Sequence, residues 1–355
     1  MPVVPPRSKV LVTGCNGFIA AWIVRTLLER GHTIRGTVRS HDKGVRFKEI
    51  LNGLGLGKGF EFVVVPDIVK DGAFNEAVKG VDAIIHTASP VLFSTEAKPE
   101  DIIQPAVQGS FSILNSALNI GNDTVRRLVF TSSAAAILEV DSEPRKFSEA
   151  NWNEQSVREC EELGQNASPI SKYRASKTLA ERTAWKFIDD NKDKINWDLV
   201  ALNPPFVFGP VIHDVPSLSA LNLTPAMMYD TIVRSDSEGK ERQALTGSNS
   251  WIDVRDLAEA HALALEKEGV AYERIIVTEG PYVWQEWADI ANSLAPIHLP
   301  SHSNLPKGTP LLDGAKSVYQ IIYDNSKANR LLGIKCRTKE ECLKDIFADY
   351  EVRGW

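Results

Sequence analysis

The stretch Lys9-Val-Leu-Val-Thr-Gly-Cys-Asn-Gly-Phe-Ile-Ala20 decides the fold. Its first five residues form a short apolar run that ends at Gly14, which is typical of a buried strand. Residues 18–30 then carry apolar side chains at helical spacing, and Gly31 ends this predicted helix. An alternating run over Thr33–Val38 predicts a second strand. A strand, glycine turn, helix and strand in this order join two parallel strands through a right-handed crossover.

The same alternation of strand and helix continues along the chain. The pattern predicts further strands over residues 61–65, 83–86, 128–130, 198–202 and 274–278, and helices over residues 45–51, 74–78, 102–118, 170–190 and 339–350. One more helix opens within residues 251–256 and runs to about Glu266, with Asp253 placed to cap its first turn. Six or more strands alternating with helices predict an α/β fold with a Rossmann-type, doubly wound parallel sheet.

The alternation loosens in two later segments. Residues 208–247 are rich in Pro, Ser, Asn and Asp without a clear strand, and residues 281–355 read as helix and loop. We therefore predict a nucleotide-binding domain formed by residues 1–207 and 248–280. The other two segments are predicted to form a smaller C-terminal substrate-binding lobe, which would close a cleft over the C-terminal edge of the sheet.

Composition narrows the class of partner. The 355 residues are 43% hydrophobic, which is ample for a large core. The net charge is −6 without a Lys/Arg-rich run, so nucleic acid and anionic membranes are poor partners. No stretch approaches the roughly 20 apolar residues of a membrane span, and no secretory leader is present. The four cysteines and seven histidines lack metal-ligand spacing. We expect a cytoplasmic protein without a metal site, working as a monomer or homodimer.

The glycine turn after the first strand predicts a dinucleotide site. Gly14 permits a tight bend, and Gly17 lets backbone N–H groups approach a pyrophosphate at the helix N-terminus. Ala20 is small enough for close packing of helix on strand. The G-x-x-G spacing is weak by itself, and its place inside a strand–helix–strand unit makes it specific. A helix N-terminus would favour a thiolate at Cys15, but catalysis has no evident use for one, so we interpret Cys15 as a small residue that fits the turn.

The end of the second strand indicates which dinucleotide binds. A preference for NAD needs a carboxylate there for the ribose 2′-hydroxyl, whereas this chain has Arg39, with Lys43 one turn later. Two cations suit a 2′-phosphate, so the sequence predicts NADP(H) rather than NAD(H). The alternative is that Arg39 is a solvated charge at a strand end. Asp67, after the third strand, could accept a hydrogen bond from the adenine amino group or could cap the following turn.

Tyr173-Arg-Ala-Ser-Lys177 places a phenol and an ammonium on one helix face. The ammonium of Lys177 would favour the ionised phenol and lower the pKa of Tyr173 from about 10 toward neutrality, as general acid–base catalysis requires. The fifth strand runs into Thr131-Ser-Ser133, where a serine hydroxyl could hydrogen-bond a carbonyl oxygen while Tyr173 protonates it. Serine is also an ordinary turn former, so the prediction depends on the glycine turn, the serine and the Tyr/Lys pair occurring together.

Seven segments together resemble the extended short-chain dehydrogenase/reductases over nearly the whole chain. Within that family the resemblance is greatest to fungal carbonyl reductases of the methylglyoxal (isovaleraldehyde) type, beside plant dihydroflavonol and cinnamoyl-CoA reductases. The segments are Thr13-Gly-Cys-Asn-Gly-Phe-Ile-Ala20, Val65-Pro-Asp-Ile68, His86-Thr-Ala-Ser-Pro90, Thr131-Ser-Ser133, Tyr173 with Lys177, Asn203-Pro-Pro-Phe-Val-Phe-Gly-Pro210 and Trp251-Ile-Asp-Val-Arg-Asp256.

The resemblance implies roles for individual residues. Ser133 would orient the carbonyl, Tyr173 would donate the proton, and Lys177 would bind the nicotinamide ribose. The implied NADP(H) contacts are Gly14, Asn16, Gly17, Phe18, Ile19, Arg39, Lys43, Asp67, Ile68, Thr87, Ala88, Ser89, Tyr173, Lys177, Pro204, Pro205 and Val207. The implied substrate contacts are Val91, Ser133, Leu138, Ile170 and Phe206. The four apolar ones suit a small hydrophobic aldehyde or ketone, but could equally be core. Many relatives carry an asparagine in the fourth helix as a proton relay, and Ala106 stands there instead, so water could take its place.

The leading hypothesis is therefore an NADPH-dependent carbonyl reductase. A second hypothesis is a nucleotide-sugar epimerase or dehydratase of the same fold. A dehydratase needs an acidic pair after the strand-end residue, where this chain has Ala134-Ala-Ala136, and Arg39 disfavours the NAD that such enzymes hold. A third hypothesis is an NADP-sensing regulator without turnover, which would not need the complete Ser/Tyr/Lys set.

Overall fold

The computed structural model describes residues 4–89, 94–234, 245, 247–302, 304–308 and 318–355. Its strands are β1 (Lys9–Thr13), β2 (Thr33–Val38), β3 (Phe60–Val64), β4 (Ala83–His86), β5 (Arg127–Thr131), β6 (Arg145–Phe147), β7 (Asp198–Asn203), β8 (Phe206–Phe208), β9 (Ser248–Asp253), β10 (Arg274–Ile276), β11 (Gly280–Val283) and β12 (Ile321–Tyr323). Its helices are α1 (Phe18–Glu29), α2 (His41–Gly53), α3 (Asn75–Val78), α4 (Pro99–Asn119), α5 (Glu154–Leu163), α6 (Pro169–Asn191), α7 (Leu223–Ile232), α8 (Val254–Glu266), α9 (Trp284–His298), α10 (Ser326–Leu331) and α11 (Lys339–Arg353).

Seven strands form one parallel sheet in the order β10-β7-β5-β4-β1-β2-β3. The chain runs outward from β1 to β3 on one side and from β4 to β10 on the other. This reversal beside β1 is the switch point at which doubly wound sheets bind ligands, outside the carboxyl ends of the strands. The predicted Rossmann-type α/β fold is confirmed.

The register brings the candidate residues to one edge. Thr13 of β1 is paired with His86 of β4, and Phe130 of β5 is paired with both His86 and Ala201 of β7. The loops that follow these four strands therefore begin side by side. This register makes neighbours of four segments, which are the glycine turn, residues 87–89, Ser133 and the Pro204 segment.

Two hydrophobic cores cover the two faces of the sheet. Successive strand residues point to opposite faces, so Val10 and Val12 pack with α1, α2 and α8, while Leu11 packs with α3, α4 and α6. α4 and α6 run together along the second face with the most extensive contact of any two helices described. This packing fixes α6, which carries Tyr173 and Lys177, against the sheet.

A further core lies in the C-terminal part of the chain. Phe208, Trp251, Tyr282, Trp284 and Trp287 pack with residues of α7, α9 and α11. The short sheet β11-β9-β8 contributes several of them. A core separate from the two on the large sheet is consistent with the smaller C-terminal lobe, and its predicted boundaries stay a prediction.

The observed elements differ from the predicted ones mainly at their ends. The predicted strand 61–65 lies at Phe60–Val64, and the helix predicted over 45–51 extends over His41–Gly53. Trp251 belongs to strand β9 rather than to a helix, because α8 begins at Val254. Asp253 caps it as expected, accepting a hydrogen bond from the Arg255 N–H at 2.8 Å. None of the helices in the described part of the chain is both long and apolar enough to span a membrane.

Candidate active site

The glycine turn is tied to the segment that follows β4. Gly14 has a φ of +64°, and a Cβ at this position would lie 3.3 Å from Ala88. The Thr13 hydroxyl accepts hydrogen bonds from the N–H groups of Thr87 (3.1 Å) and Ala88 (3.0 Å). The Thr87 hydroxyl donates in turn to the Thr13 carbonyl. Gly14 is therefore required both for its backbone conformation and for close approach of the two loops.

The N-terminus of α1 fits a pyrophosphate. Gly17 is its N-cap, so no side chain caps the helix, and its first turn holds no acidic residue. The N–H groups of that turn remain available to an anion, and the helix dipole favours negative charge there. Asn16 and Ile19 are partly exposed, whereas Phe18 is buried with its ring centroid 6.0 Å from that of His213. Any contact of Phe18 with a cofactor would therefore use its backbone.

Cys15 does not have the environment of a reactive thiol. Its side chain is fully buried, and a Cβ built on Gly36 of β2 would overlap its sulfur. Burial raises the pKa of the Cys15 thiol far above its usual value. Desolvation outweighs the effect of the helix N-terminus, which agrees with the interpretation of Cys15 as a small residue that fits the turn.

The end of β2 presents two unpaired cations. Arg39 and Lys43 are exposed, and neither makes a side-chain hydrogen bond or ion pair with a residue of the described ranges. Ser40 is the N-cap of α2 and its side chain does not cap the helix. Two cations beside uncapped N–H groups fit a 2′-phosphate, so the donor set here agrees with the residues expected to bind NADP(H).

Asp67 and Ile68 follow β3. The Asp67 carboxylate accepts a hydrogen bond from the Val69 N–H at 3.0 Å, so the turn-capping alternative occurs, and a contact with adenine stays a prediction. Ile68 is half-buried against α4, where a Cβ at Gly109 would lie 2.8 Å from its side chain. Thr87, Ala88 and Ser89 are half-buried at the end of β4, and Val91 lies outside the described residues.

The structure brings Ser133, Tyr173 and Lys177 together. Ser133 follows β5, and its hydroxyl oxygen accepts the Ala135 N–H at 3.1 Å. The same hydroxyl is hydrogen-bonded to the phenol of Tyr173 on α6. The Lys177 ammonium lies one turn along this helix, 5.9 Å from the centroid of the Tyr173 ring. Since Ser133 accepts from a backbone N–H, its one proton is left to donate, here toward the Tyr173 phenol, and a substrate oxygen would have to compete for it.

Burial sets the protonation of the Tyr/Lys pair. Lys177 is 9% exposed, and burial lowers the pKa of its ammonium to about 8. Burial also raises the pKa of Tyr173 above 10, and the hydrogen bond with Ser133 offsets only part of this. The prediction that Lys177 pulls the pKa of Tyr173 toward neutrality is wrong for this structure, because desolvation of the phenolate is the larger effect. Tyr173 therefore holds its proton at neutral pH, which is the state of a proton donor.

His86 and Ala106 add no acid or base to this pair. His86 is buried, with Nδ1 2.9 Å from the Thr13 hydroxyl. Burial, together with the charge of Lys177, lowers the pKa of His86 to about 3, so its ring is neutral. Ala106 is buried in α4 and its carbonyl accepts a hydrogen bond from Ser110 at 2.8 Å. Its methyl group cannot relay a proton.

The expected substrate residues differ in exposure. Leu138 is buried in a small core with Ile137, Phe147 and Tyr323, which is the core alternative that the sequence left open. Ile170 is 42% exposed, and Phe206 is half-buried and stacked on Phe208. Both residues keep apolar surface exposed, and their contact with a substrate stays a prediction.

The segment after β7 borders the same site. Pro204 is buried, and its carbonyl accepts the Ala134 N–H at 2.9 Å. Pro205 is half-buried and Val207 is buried in β8. This hydrogen bond joins the Pro204 segment to the turn that carries Ser133.

Sequence reasoning missed the buried polar residues behind Ser133. The fully buried carboxylate of Glu181 on α6 accepts hydrogen bonds from Ser132, Asn203 and Arg274. One signal was available, since Glu181 continues the four-residue spacing from Tyr173 to Lys177. Arg274 is 93 residues away in sequence and no local pattern connects the two. No group of three or more metal-ligating side chains is close enough to hold an ion in the part of the chain that the structure covers.

Comparison with known proteins gives a consistent result. The chain is 34% identical over 344 residues to the NADPH-dependent methylglyoxal reductase of Saccharomyces cerevisiae, covering 95% of this chain and 96% of that one. It is 36% identical over 341 residues to a ketoreductase of Aspergillus niger, with 95% and 96% covered. The crystal structure of yeast methylglyoxal/isovaleraldehyde reductase complexed with NADPH superposes with a TM-score of 0.81 at 30% identity, over 98% of this chain and 99% of that one.

A family model also matches most of the chain. It is the one described as the NAD dependent epimerase/dehydratase family, and it covers residues 10–277. That range contains all of the seven-stranded sheet except Lys9, the first residue of β1, together with Ser133, Tyr173 and Lys177. The chain belongs to this family, the extended short-chain dehydrogenase/reductases.

Proposed function

We propose that the protein reduces aldehydes and ketones to alcohols with NADPH. The observation that carries this proposal is the hydrogen-bonded Ser133–Tyr173 pair beside the buried ammonium of Lys177, at the carboxyl edge of a parallel sheet. The similarity to an NADPH-dependent reductase and to a ketoreductase supports it. The uncapped α1 N-terminus and the exposed cations Arg39 and Lys43 support NADP(H) as the cofactor.

Each side chain of the site has one task in this proposal. When bound, NADPH supplies a hydride to the carbonyl carbon. Ser133 donates its hydroxyl proton in a hydrogen bond to the carbonyl oxygen, which holds that oxygen beside the Tyr173 phenol. Tyr173, protonated at neutral pH, delivers its proton as negative charge develops on the oxygen. Lys177 stabilises the phenolate that remains and binds the ribose, with Ala106 leaving the return of the proton to water.

The remaining predictions belong to the same proposal. Gly14–Ile19, Asp67, Ile68, residues 87–89, Pro204, Pro205 and Val207 would contact the cofactor. Ile170, Phe206 and Val91 would line a site for a small hydrophobic carbonyl compound. We place this reaction in the cytoplasm, in a monomer or homodimer, with a substrate lobe formed by residues 208–247 and 281–355.

A panel assay tests the proposal. Purified protein is mixed with NADPH or NADH and a set of aldehydes, ketones, diketones and one nucleotide sugar, and cofactor oxidation is followed by absorbance. We expect oxidation of NADPH by apolar carbonyl compounds, slower oxidation of NADH, and no conversion of the nucleotide sugar. Binding of NADPH without oxidation by any carbonyl compound would instead indicate a cofactor-sensing protein, and conversion of the sugar would indicate an epimerase or dehydratase.

A further inference from the structure

Glu181 is a fully buried carboxylate directly behind the site. Its Oε2 accepts hydrogen bonds from the Ser132 hydroxyl at 2.5 Å and from the Asn203 amide at 2.7 Å. Its Oε1 accepts from Arg274 Nε at 2.5 Å and from Trp185 Nε1 at 3.2 Å. A charge with 0% exposure needs this degree of hydrogen bonding, because an unpaired buried carboxylate would be strongly destabilising.

Arg274 connects Glu181 to two loops of the site. Its Nη1 donates to the carbonyls of Glu149 (2.8 Å) and Asn151 (2.5 Å), and its Nη2 donates to the carbonyl of Ala136 at 3.3 Å. The guanidinium also lies 3.6 Å from the centroid of the Trp152 ring. One buried guanidinium thus holds the turn after Ser133 and the chain at 149–152 against α6.

The same network holds the backbone on both sides of Ser133. The Asn203 amide donates to the Ser133 carbonyl at 3.1 Å as well as to Glu181. Ser132 is held through its hydroxyl, and Ala136 through its carbonyl. The position of the Ser133 hydroxyl relative to Tyr173 therefore depends on Glu181, because Glu181 and Tyr173 are rigidly joined by α6.

Glu181 also lies one helical turn beyond Lys177. Residues four apart on a helix are neighbours on one face, so an uncommitted carboxylate at this position would attract the ammonium. In the structure Arg274 occupies that carboxylate, and Lys177 makes no hydrogen bond or ion pair with any side chain of the described ranges. Arg274 therefore leaves the ammonium directed to Tyr173.

We propose that Glu181 and Arg274 are positioning residues for the reaction, which set the Ser133 hydroxyl against Tyr173 and keep Lys177 free of a carboxylate partner. This inference depends on the proposed carbonyl reduction. Neither residue touches the reacting atoms, so its effect should appear in kcat rather than in NADPH affinity. A residue with a purely structural role would lower the folded fraction and leave kcat per folded molecule unchanged.

The sheet offers a matched control. Arg127 and Asp198 form a second fully buried Arg–carboxylate pair, at 2.6 Å, on the neighbouring strands β5 and β7. They are register partners at the amino ends of those strands, and four residues at about 3.3 Å each separate them from the carboxyl edge. Removal of Arg127 leaves the same kind of uncompensated buried carboxylate away from the site.

The experiment compares Arg274→Met, Glu181→Gln, the double variant and Arg127→Met with the wild type. Steady-state kcat per folded molecule is measured for a carbonyl compound that the wild type reduces, and NADPH Kd is measured by calorimetry. We expect Arg274→Met to lose about ten- to a hundredfold in kcat with NADPH Kd within about twofold. The double variant, which leaves no unpaired buried charge, should recover part of this loss, and Arg127→Met should keep its kcat.

The outcomes separate the two proposals. An active wild type with Arg274→Met unimpaired per folded molecule overturns the positioning role alone. Equal losses of kcat in Arg274→Met and Arg127→Met overturn it as well, since the effect would then be one of general stability. If Arg274→Met does not fold, the double variant becomes the test of the positioning role. A wild-type kcat in that variant would then contradict the inference. A wild type that reduces no carbonyl compound overturns the proposed function and this inference with it.

Discussion

Arg127 lies at the amino edge of the large sheet, and Lys177, on α6, lies at the carboxyl edge. Both are buried cations, but only Arg127 has a carboxylate partner among the described residues. Arg127 is 1% exposed and donates two hydrogen bonds to Asp198, with further ones to the carbonyls of Ala264 and Lys267 at 2.8 Å each. Lys177 is 9% exposed, and the structure gives it no carboxylate partner among the residues it describes. Burial without such a partner lowers the pKa of Lys177 to about 8.

The contrast shows where this fold gives up stability for function. At the amino edge the buried Arg127 is paired with Asp198, so its desolvation is offset by the ion pair that joins β5 and β7. At the carboxyl edge a cation is buried without a counter-ion, a state that lowers stability but leaves its ammonium available to Tyr173 and to a cofactor. Substitutions at the two edges should therefore have opposite effects on stability and on rate.

The largest effect is expected for Tyr173→Phe at the carboxyl edge. Loss of the proton donor should lower kcat by about 10²- to 10⁴-fold. The ring and its packing remain, so NADPH Kd and thermal stability should change little. Steady-state kinetics, calorimetry and thermal unfolding measure the three quantities. Undiminished turnover in this variant would mean that another group is the acid.

At the amino edge, Asp198→Asn should have the opposite effect, which is a loss of stability without a loss of turnover. The change leaves the guanidinium of Arg127 buried without its charge partner, and the free energy of unfolding should fall by about 3–5 kcal/mol. Turnover per folded molecule should stay at the wild-type level. Urea unfolding at neutral pH, with kcat measured on the same preparation, checks both parts. A large loss of kcat in folded protein would remove the distinction between the edges.

Lys177→Met tests directly whether the buried ammonium lowers stability while it supports activity. The pKa of Lys177 falls from 10.5 to about 8 on folding, so the folded state binds its proton less tightly than the unfolded chain does. The resulting cost to stability is complete below pH 8 and disappears as the pH rises through 10.5. We expect the variant to be inactive yet more stable at neutral pH by roughly 3 kcal/mol.

The pH dependence of unfolding is the control for Lys177→Met. The wild type should gain stability between pH 8 and 10.5 relative to the variant, because there the unfolded state binds more protons than the folded state does. Urea unfolding of both proteins across this range measures the difference. A variant less stable than the wild type at neutral pH would show that the ammonium is compensated after all.

A smaller effect is expected for Arg39→Gln at the cofactor end of the carboxyl edge. Loss of one charged contact to a 2′-phosphate should weaken NADPH binding by about 1.5–3 kcal/mol while NADH binding stays unchanged. Lys48→Gln is a matched control, since Lys48 is an exposed cation on α2 farther from its N-terminus. Calorimetric Kd values of the wild type and both variants for NADPH and for NADH test this prediction. Equal losses for NADPH and NADH would argue against a 2′-phosphate contact.

The sequence predicted the large sheet because its strands leave a clear pattern. In short apolar runs such as Lys9–Thr13, all residues after the first are buried between two helix layers, so an apolar composition indicates a central strand. Ser248–Asp253 is a strand that the pattern did not reveal, because its first residues are polar and its last one caps the helix that follows. Likewise Leu223–Ile232 forms a helix within residues 208–247, where the pattern predicts no helix.

The site was predictable as a set of residue types, but its electrostatics were not. Spacing alone joined Tyr173 to Lys177, and the helix register confirms that they are neighbours. The direction of the pKa shift of Tyr173 depended on desolvation, which a sequence does not show. Arg274 could not be assigned to Glu181 for a similar reason, since the two meet only when β10 is added to the edge of the sheet beside β7.

The rate at which Cys15 reacts should report how often this domain opens. Its sulfur is enclosed between the glycine turn and Gly36, so an alkylating reagent can reach it only when β2 and the turn separate. The rate of its modification should thus follow the opening equilibrium of the nucleotide-binding half, as exchange of buried amide hydrogens does. A cofactor bound at the glycine turn would lower the rate of alkylation of Cys15. That rate would therefore measure how strongly the bound cofactor suppresses opening of this half of the chain.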